Sequence, residues 1–152
     1  MKNLILILLA TVGLSSCFPP VPCFNAILPV VDFAILNSNE NSLITSDSQK
    51  INLYAIINNR KQQLDYRIRK IGNSYGVSSH HLVSEKIKTF YLELEGKIDT
   101  ISVDAQKRIN EGCQETQIRQ VLFNGTPAQK VSPPDEATYY RFVRRQNAGQ
   151  GK

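Results

Sequence analysis

Apolar and charged residues alternate one for one in Leu64-Asp65-Tyr66-Arg67-Ile68-Arg69. On an extended strand that period puts every charge on one face and every apolar side chain on the other. The same period runs through Phe90-Tyr91-Leu92-Glu93-Leu94-Glu95. Shorter apolar stretches at 30–36, 51–57, 98–103, 118–123 and 139–143 read as further strands. Between them stand Asn37-Ser38-Asn39, Asn58-Asn59, Gly72-Asn73-Ser74, Glu95-Gly96-Lys97, Glu111-Gly112 and Asn124-Gly125. Asn and Gly tolerate the positive φ that tight reversals demand. Helical periodicity is weak: 79–88 fits two turns, and 104–110 one or two. The pattern predicts an all-β chain, a single β-sandwich of about seven strands over 26–145. Residues 146–152, QNAGQGK, carry nothing more apolar than alanine and read as a disordered tail.

The chain opens with a different pattern, MKNLILILLATVGLSSC. Its apolar run, Leu4 to Leu14, is eleven residues long. As a helix it would reach about 16 Å, half of the roughly 30 Å of a bilayer core. Ser15 and Ser16 stop it, and Pro19, Pro20 and Pro22 cannot continue a helix. One basic residue, a short apolar centre and small residues at the exit describe a secretory leader. The last four residues, Leu14-Ser15-Ser16-Cys17, resemble the lipobox of bacterial lipoproteins. That resemblance implies a signal peptide over 1–16, cleavage before Cys17, a diacylglyceryl group on the Cys17 sulfur and acylation of the new amino terminus. Each buried methylene contributes about 0.8 kcal/mol, so one chain holds marginally and two or more hold firmly. Residues 17–25, CFPPVPCFN, then form a proline-stiffened stem that lifts the domain off the membrane. Phe18 is not the aspartate that retains many such proteins at the inner membrane, which by the same resemblance implies the outer membrane, on its periplasmic side.

Charge changes the picture little. Eighteen Lys and Arg stand against thirteen Asp and Glu, a formal net charge of +5 that falls by one if Lys2 leaves with the leader. The basic residues are scattered through Arg60-Lys61, Arg67, Arg69-Lys70, Lys86 and Lys88, with a denser group at Arg141, Arg144, Arg145 and Lys152. An exported protein rarely meets nucleic acid, so no nucleic-acid partner is expected. With Cys17 acylated, Cys23 and Cys113 remain in an oxidising compartment. A bridge between them would close about 90 residues of chain and stabilise by up to about 4–5 kcal/mol in the chain-entropy treatment. Two separate thiols are the alternative.

Candidate chemistry is sparse. His80 and His81 are the only histidines, and neighbours on a strand point to opposite faces, which argues against a shared metal. Ser78 and Ser79 precede them, but adjacency is not the geometry of a nucleophile, base and orienter. Glu93 and Glu95, two apart on a strand, have a spacing that suits paired-carboxylate chemistry but more simply face water or cross-strand cations. Asn124-Gly125-Thr126 has the form of a glycosylation sequon, yet Asn-Gly is first a hairpin turn. Asp99-Thr100-Ile101 resembles the short O-glycosylation signal of Bacteroidota, which would place a glycan on Thr100. No cofactor is expected. Tyr54, Tyr66, Tyr75, Phe90, Tyr91, Tyr139, Tyr140 and Phe142 mostly alternate with polar residues, as core side chains do.

A second resemblance covers residues 30–126. VVDFAILNSNENSL, INLYAII, FYLELEGKIDTISV, a cysteine and IRQVLFNGT follow in an order similar to that of small Bacteroidota lipoproteins that lack an assigned function. It implies an immunoglobulin-like or transthyretin-like sandwich and carries no catalytic residues over. The resulting expectation is a non-enzymatic envelope lipoprotein, held to the bilayer by Cys17, whose sandwich binds another envelope protein. An immunity or inhibitor protein neutralising a periplasmic toxin or protease is the alternative, and an accessory hydrolase a further one.

Overall fold

A computed structural model describes residues 29–84, 86–110 and 113–145. Cys17, Cys23, the leader, most of the stem and the tail lie outside the described residues. The described residues form no helix and eleven strands. In chain order these are β1 (Val31–Leu36), β2 (Asn52–Ile57), β3 (Arg60–Gln63), β4 (Arg67–Ile71), β5 (Ser74–Ser79), β6 (Thr89–Leu94), β7 (Lys97–Asn110), β8 (Cys113–Phe123), β9 (Thr126–Pro127), β10 (Gln129–Val131) and β11 (Tyr139–Val143). One sheet runs β10-β11-β1-β5-β4 and the other β3-β2-β6-β7-β8-β9. The all-β sandwich expected from the period is what the chain builds, with eleven strands where the pattern suggested about seven.

Local chemistry explains the hairpins. Ile57 faces Arg60, Leu94 faces Lys97 and Phe123 faces Thr126, each across a two-residue turn. Both central residues have positive φ in all three: Asn58 and Asn59 at 50° and 60°, Glu95 and Gly96 at 56° and 72°, Asn124 and Gly125 at 50° and 76°. That is the primed geometry whose twist matches paired strands. A further two-residue turn, between Ile71 and Ser74, has positive φ only at Gly72.

Three expectations are corrected. Residues 104–110 are not helical but the outer part of β7, paired with β8 as far as Asn110 and Cys113. The register slips between Asp104 and Ala105, where Gln120 and Ile118 are successive partners and Arg119 is left over. This bulge keeps Ile118 packed on the core with Ala105, where strict alternation would turn Arg119 inward. Residues 79–88 form a connection without a helix among its described residues: Val83 N donates to His80 O, and Ile87 N to Ser84 Oγ. The alternation at 64–69 is not one strand either. Residues 64–66 carry the chain from β3 in one sheet to β4 in the other. Leu64 and Tyr66 still turn inward, Leu64 N donating to Leu53 O at 2.8 Å and Tyr66 Oη to Ile51 O at 2.7 Å.

The core lies between the sheets. Phe142 of β11 stacks on Phe33 of β1 within its sheet and on Phe123 of β8 across the interior, both at 4.7 Å between ring centres. Val31, Phe33 and Ile35 join this core from β1, and Phe90, Leu92, Ile101, Val103 and Val121 face them from the other sheet. β1 is antiparallel to β5 and parallel to β11, and both of its faces are buried. Gly76 of β5 is glycine for want of room: a Cβ there would stand 2.5 Å from Phe33 O and 2.5 Å from Ile71 Cδ1.

Candidate functional site

The polar residues singled out along the sequence are mostly engaged in holding the fold. Asp99 sits on the inward face of β7, opposite Leu92, and is 4% exposed. Arg144, just past β11 in the other sheet, donates to its Oδ2 from Nε at 2.9 Å and also from Nη2. Asn124 Nδ2 donates to Asp99 Oδ1 at 2.7 Å. A buried, charge-assisted pair therefore bridges the two sheets, with the carboxylate's other oxygen also bonded. Asn124 in turn accepts from Thr100 N at 2.8 Å and from Thr100 Oγ1 at 3.4 Å. Sequon asparagine and candidate glycosylation threonine thus share one small network around the β8–β9 turn.

A second acid–base pair lies on the outer face of the first sheet. Asp32 of β1 is 5% exposed and takes a two-pronged contact from Arg69 of β4, Nη2 to Oδ2 at 2.6 Å and Nε to Oδ1 at 3.3 Å. Arg69 reaches over Gly76 of β5 to do so, since Arg69 and Gly76 are register partners and glycine leaves the path low.

His80 and His81 do not sit on a strand, so the opposite-face argument does not describe them. They follow β5 in a turn, their rings 4.0 Å apart and tilted 38°. Glu85, the nearest carboxylate to them in sequence, lies outside the described residues, and Asp65 Oδ2 stands 3.6 Å from His81 Nε2. Among the described residues no three His, Cys, Asp or Glu side chains converge on a metal-sized position. Ser79 is buried, and its hydroxyl donates to Asp65 O at 2.7 Å and accepts from His81 N at 3.2 Å. That hydroxyl pins the 64–66 crossing to the turn and makes no bond to an imidazole. Glu93 and Glu95 are separated by geometry: Glu95 opens a turn, whereas Glu93 stays on β6 and meets Lys61 Nζ at 3.4 Å and Asn52 Nδ2 at 3.2 Å. Lys61 also lies 3.9 Å over the ring of Tyr54, which stacks on Tyr91. Cys113 opens β8 and is disulfide-bonded. Burial raises the pKa of Tyr140, which points between the sheets from β11.

What the sequence reading missed is the collection of basic residues on one side of the sandwich. β3 and β4 are the edge strands of their respective sheets, joined by the 64–66 crossing. They carry Arg60, Lys61, Arg67, Arg69 and Lys70, with Asp65 the one acid between. Lys61 and Arg69 are neutralised by Glu93 and Asp32. Arg60, Arg67 and Lys70 are exposed and make no ion pair among the described residues. A cavity of about 520 Å³ opens beside the start of β4, lined by Tyr66, Arg67, Ser78 and His80 among others. Another of about 280 Å³ lies at its far end, beside Lys70, Gly72 and Glu136. The signal for this side was the Asn58-Asn59 turn, which makes the polar stretch after it the return strand of a hairpin. Compared with known proteins, the chain matches no family model, no curated protein and no solved structure.

Proposed function

We propose that the chain is a lipid-anchored lipoprotein of the bacterial envelope, outer-membrane and periplasm-facing, whose sandwich binds another envelope protein and does no chemistry of its own. The observation that carries the reading is the leader ending in Leu14-Ser15-Ser16-Cys17, directly ahead of a stiff proline stem. Its support in the folded part is the use made of the polar groups. Ser79 and Glu93, which the sequence offers for nucleophilic and paired-carboxylate chemistry, are each bonded within the fold. The exposed basic side formed by β3 and β4 offers recognition in place of catalysis. With Cys17 acylated, Cys23 is the partner left for Cys113, and their bridge would tie the stem to the β7–β8 ribbon.

Two measurements test the reading. Intact mass of protein purified from a bacterial envelope should correspond to a chain starting at an acylated Cys17, and Cys17→Ser should abolish both cleavage and membrane retention. An unmodified chain beginning at Met1 refutes the anchor. Cross-linking and capture from detergent extracts should then recover one stoichiometric envelope protein. Recovery of a toxin or protease, inhibited on binding, would replace this reading with the immunity or inhibitor one. Turnover of a substrate by the purified protein would replace it with the hydrolase.

A further inference from the structure

Among the described residues the outer edge of β4 is unpaired, and it has the attributes of a strand-addition site. Ile71 and Ser74 flank a two-residue turn, and Arg69–Gly76 and Arg67–Ser78 follow in register. In an antiparallel hairpin such pairs exchange both backbone bonds, and the intervening residues point theirs away. The N–H and C=O groups of Ile68 and Lys70 are therefore directed off the sheet, where no described strand meets them. Their neighbours supply recognition. Arg67 and Arg69 project on the outer face, the second already held by Asp32, and half-buried Ile68 lies on the core side. Lys70 is exposed and without a partner of opposite charge among the described residues. The cavities at the two ends of β4 leave room for side chains of a chain lying along it. Two acids lie near this edge: Asp65, exposed and 3.6 Å from His81 Nε2, and Glu136, whose Oε2 accepts from Gly72 N at 3.0 Å.

We infer that the β4 edge takes an extended acidic segment of the partner protein, added as a strand beside Ile68 and Lys70. Its outward carboxylates face Arg67, which has no ion pair among the described residues, and its apolar residues lie beside Ile68. Charge complementarity selects this occupant. Lys and Arg on an edge repel a second copy of the same edge, which guards against self-pairing. The same charges attract an acidic strand, and main-chain bonds then give affinity while alternate side chains give specificity. The inference rests on the proposal that the sandwich binds another protein, and it names where and what.

The test uses the full chain in detergent and a fluorescein-labelled heptapeptide of alternating Glu and Val, followed by polarisation. Two controls accompany it, the Lys-Val heptapeptide and a Glu-Val heptapeptide methylated on alternate backbone nitrogens. The Glu-Val peptide should bind at least about tenfold more tightly than either control. Arg67→Glu combined with Lys70→Glu should weaken it about tenfold or more, while Lys97→Glu on the exposed start of β7 leaves it unchanged. Phosphatidylglycerol in the micelles should not displace it. Equal binding of the methylated peptide, absence of binding, or displacement by the anionic lipid would each overturn the proposal, the last by making a head group the ligand. If the doubly substituted protein fails to fold, the methylated peptide still decides. Equal capture of one envelope partner by the native and charge-reversed chains would reject the edge but keep the protein-binding function. Capture by neither would reject that function itself.

Discussion

β1 and the outer half of the β7–β8 ribbon are both regular paired strands, yet they sit at opposite limits of burial. Every residue of β1 is buried. From Gln106 to Ile109 every side chain of β7 is exposed, Ile109 at 81%. β1 has a strand on either side and a second sheet over its inner face, whereas this part of β7 has, among the described residues, only β8 paired with it. The ribbon's cross-strand contacts are polar and exposed, Arg108 Nη1 to Gln117 Oε1 at 3.2 Å and Arg119 Nη1 to Gln106 Oε1 at 3.3 Å. An isolated two-stranded hairpin is marginal in water, so the ribbon persists as an extension of strands that the sandwich holds. Main-chain pairing fixes direction; burial of apolar surface supplies most of the stability.

That contrast can be broken most severely at the aromatic stack. Phe142→Ala should lower the unfolding free energy by about 4 kcal/mol, because it empties the space between Phe33 and Phe123. Denaturant titration reads the loss. Next comes Asp99→Ala, which should cost about 3 kcal/mol by leaving Arg144 buried without its counter-charge. Replacing Asp99 and Arg144 together by leucine should recover most of that loss; if the double variant is as unstable as the single one, the isolated charge is not the cause. Gly76→Ala should cost about 2 kcal/mol, since the new methyl meets a backbone oxygen that cannot swing aside. An unchanged denaturation midpoint would contradict the crowding.

A smaller effect belongs to Tyr140. Its pKa is raised above 10.0 by burial, so as pH climbs past 10 the unfolded chain ionises at this residue before the native one does. Stability therefore falls between that pH and the native value, and its contribution is intact below. Tyr140→Phe should flatten the alkaline decline, and identical pH profiles for the two proteins would exclude Tyr140 as its source. At the other extreme, Ile109→Ser should shift the unfolding free energy by no more than about 0.5 kcal/mol, because the side chain is already in water. A large loss there would mean that the ribbon is covered by something else.

The sandwich was legible wherever its determinants are local. The two-residue period marked β6, and apolar stretches marked β1, β2 and β11 to within a residue and the inner parts of β7 and β8, while Asn58-Asn59, Glu95-Gly96 and Asn124-Gly125 marked turns between them. β3 and β5 escaped notice because Arg60–Gln63 is exposed throughout and Ser74–Ser79 is rich in serine, so neither shows an apolar face. The alternation at 64–69 was real but described a crossing, since a corner that packs Leu64 and Tyr66 inward has the same pattern as a strand. The candidate site was hardly legible: its cations read as scattered because two different sheets bring Arg60, Lys61, Arg67 and Lys70 to one side.

By itself, the order of residues determined the β class and the positions of the tight turns, because side-chain period and positive-φ tolerance act over a few bonds. Only the tertiary structure decided that Asp99 meets Arg144, that Asp32 meets Arg69 and that β4 stands last in its sheet among the described residues. Those pairings join residues 45 and 37 positions apart. They exist because strand order within one sheet sets Arg69 two strands from Asp32, while packing the two sheets face to face sets Arg144 over Asp99.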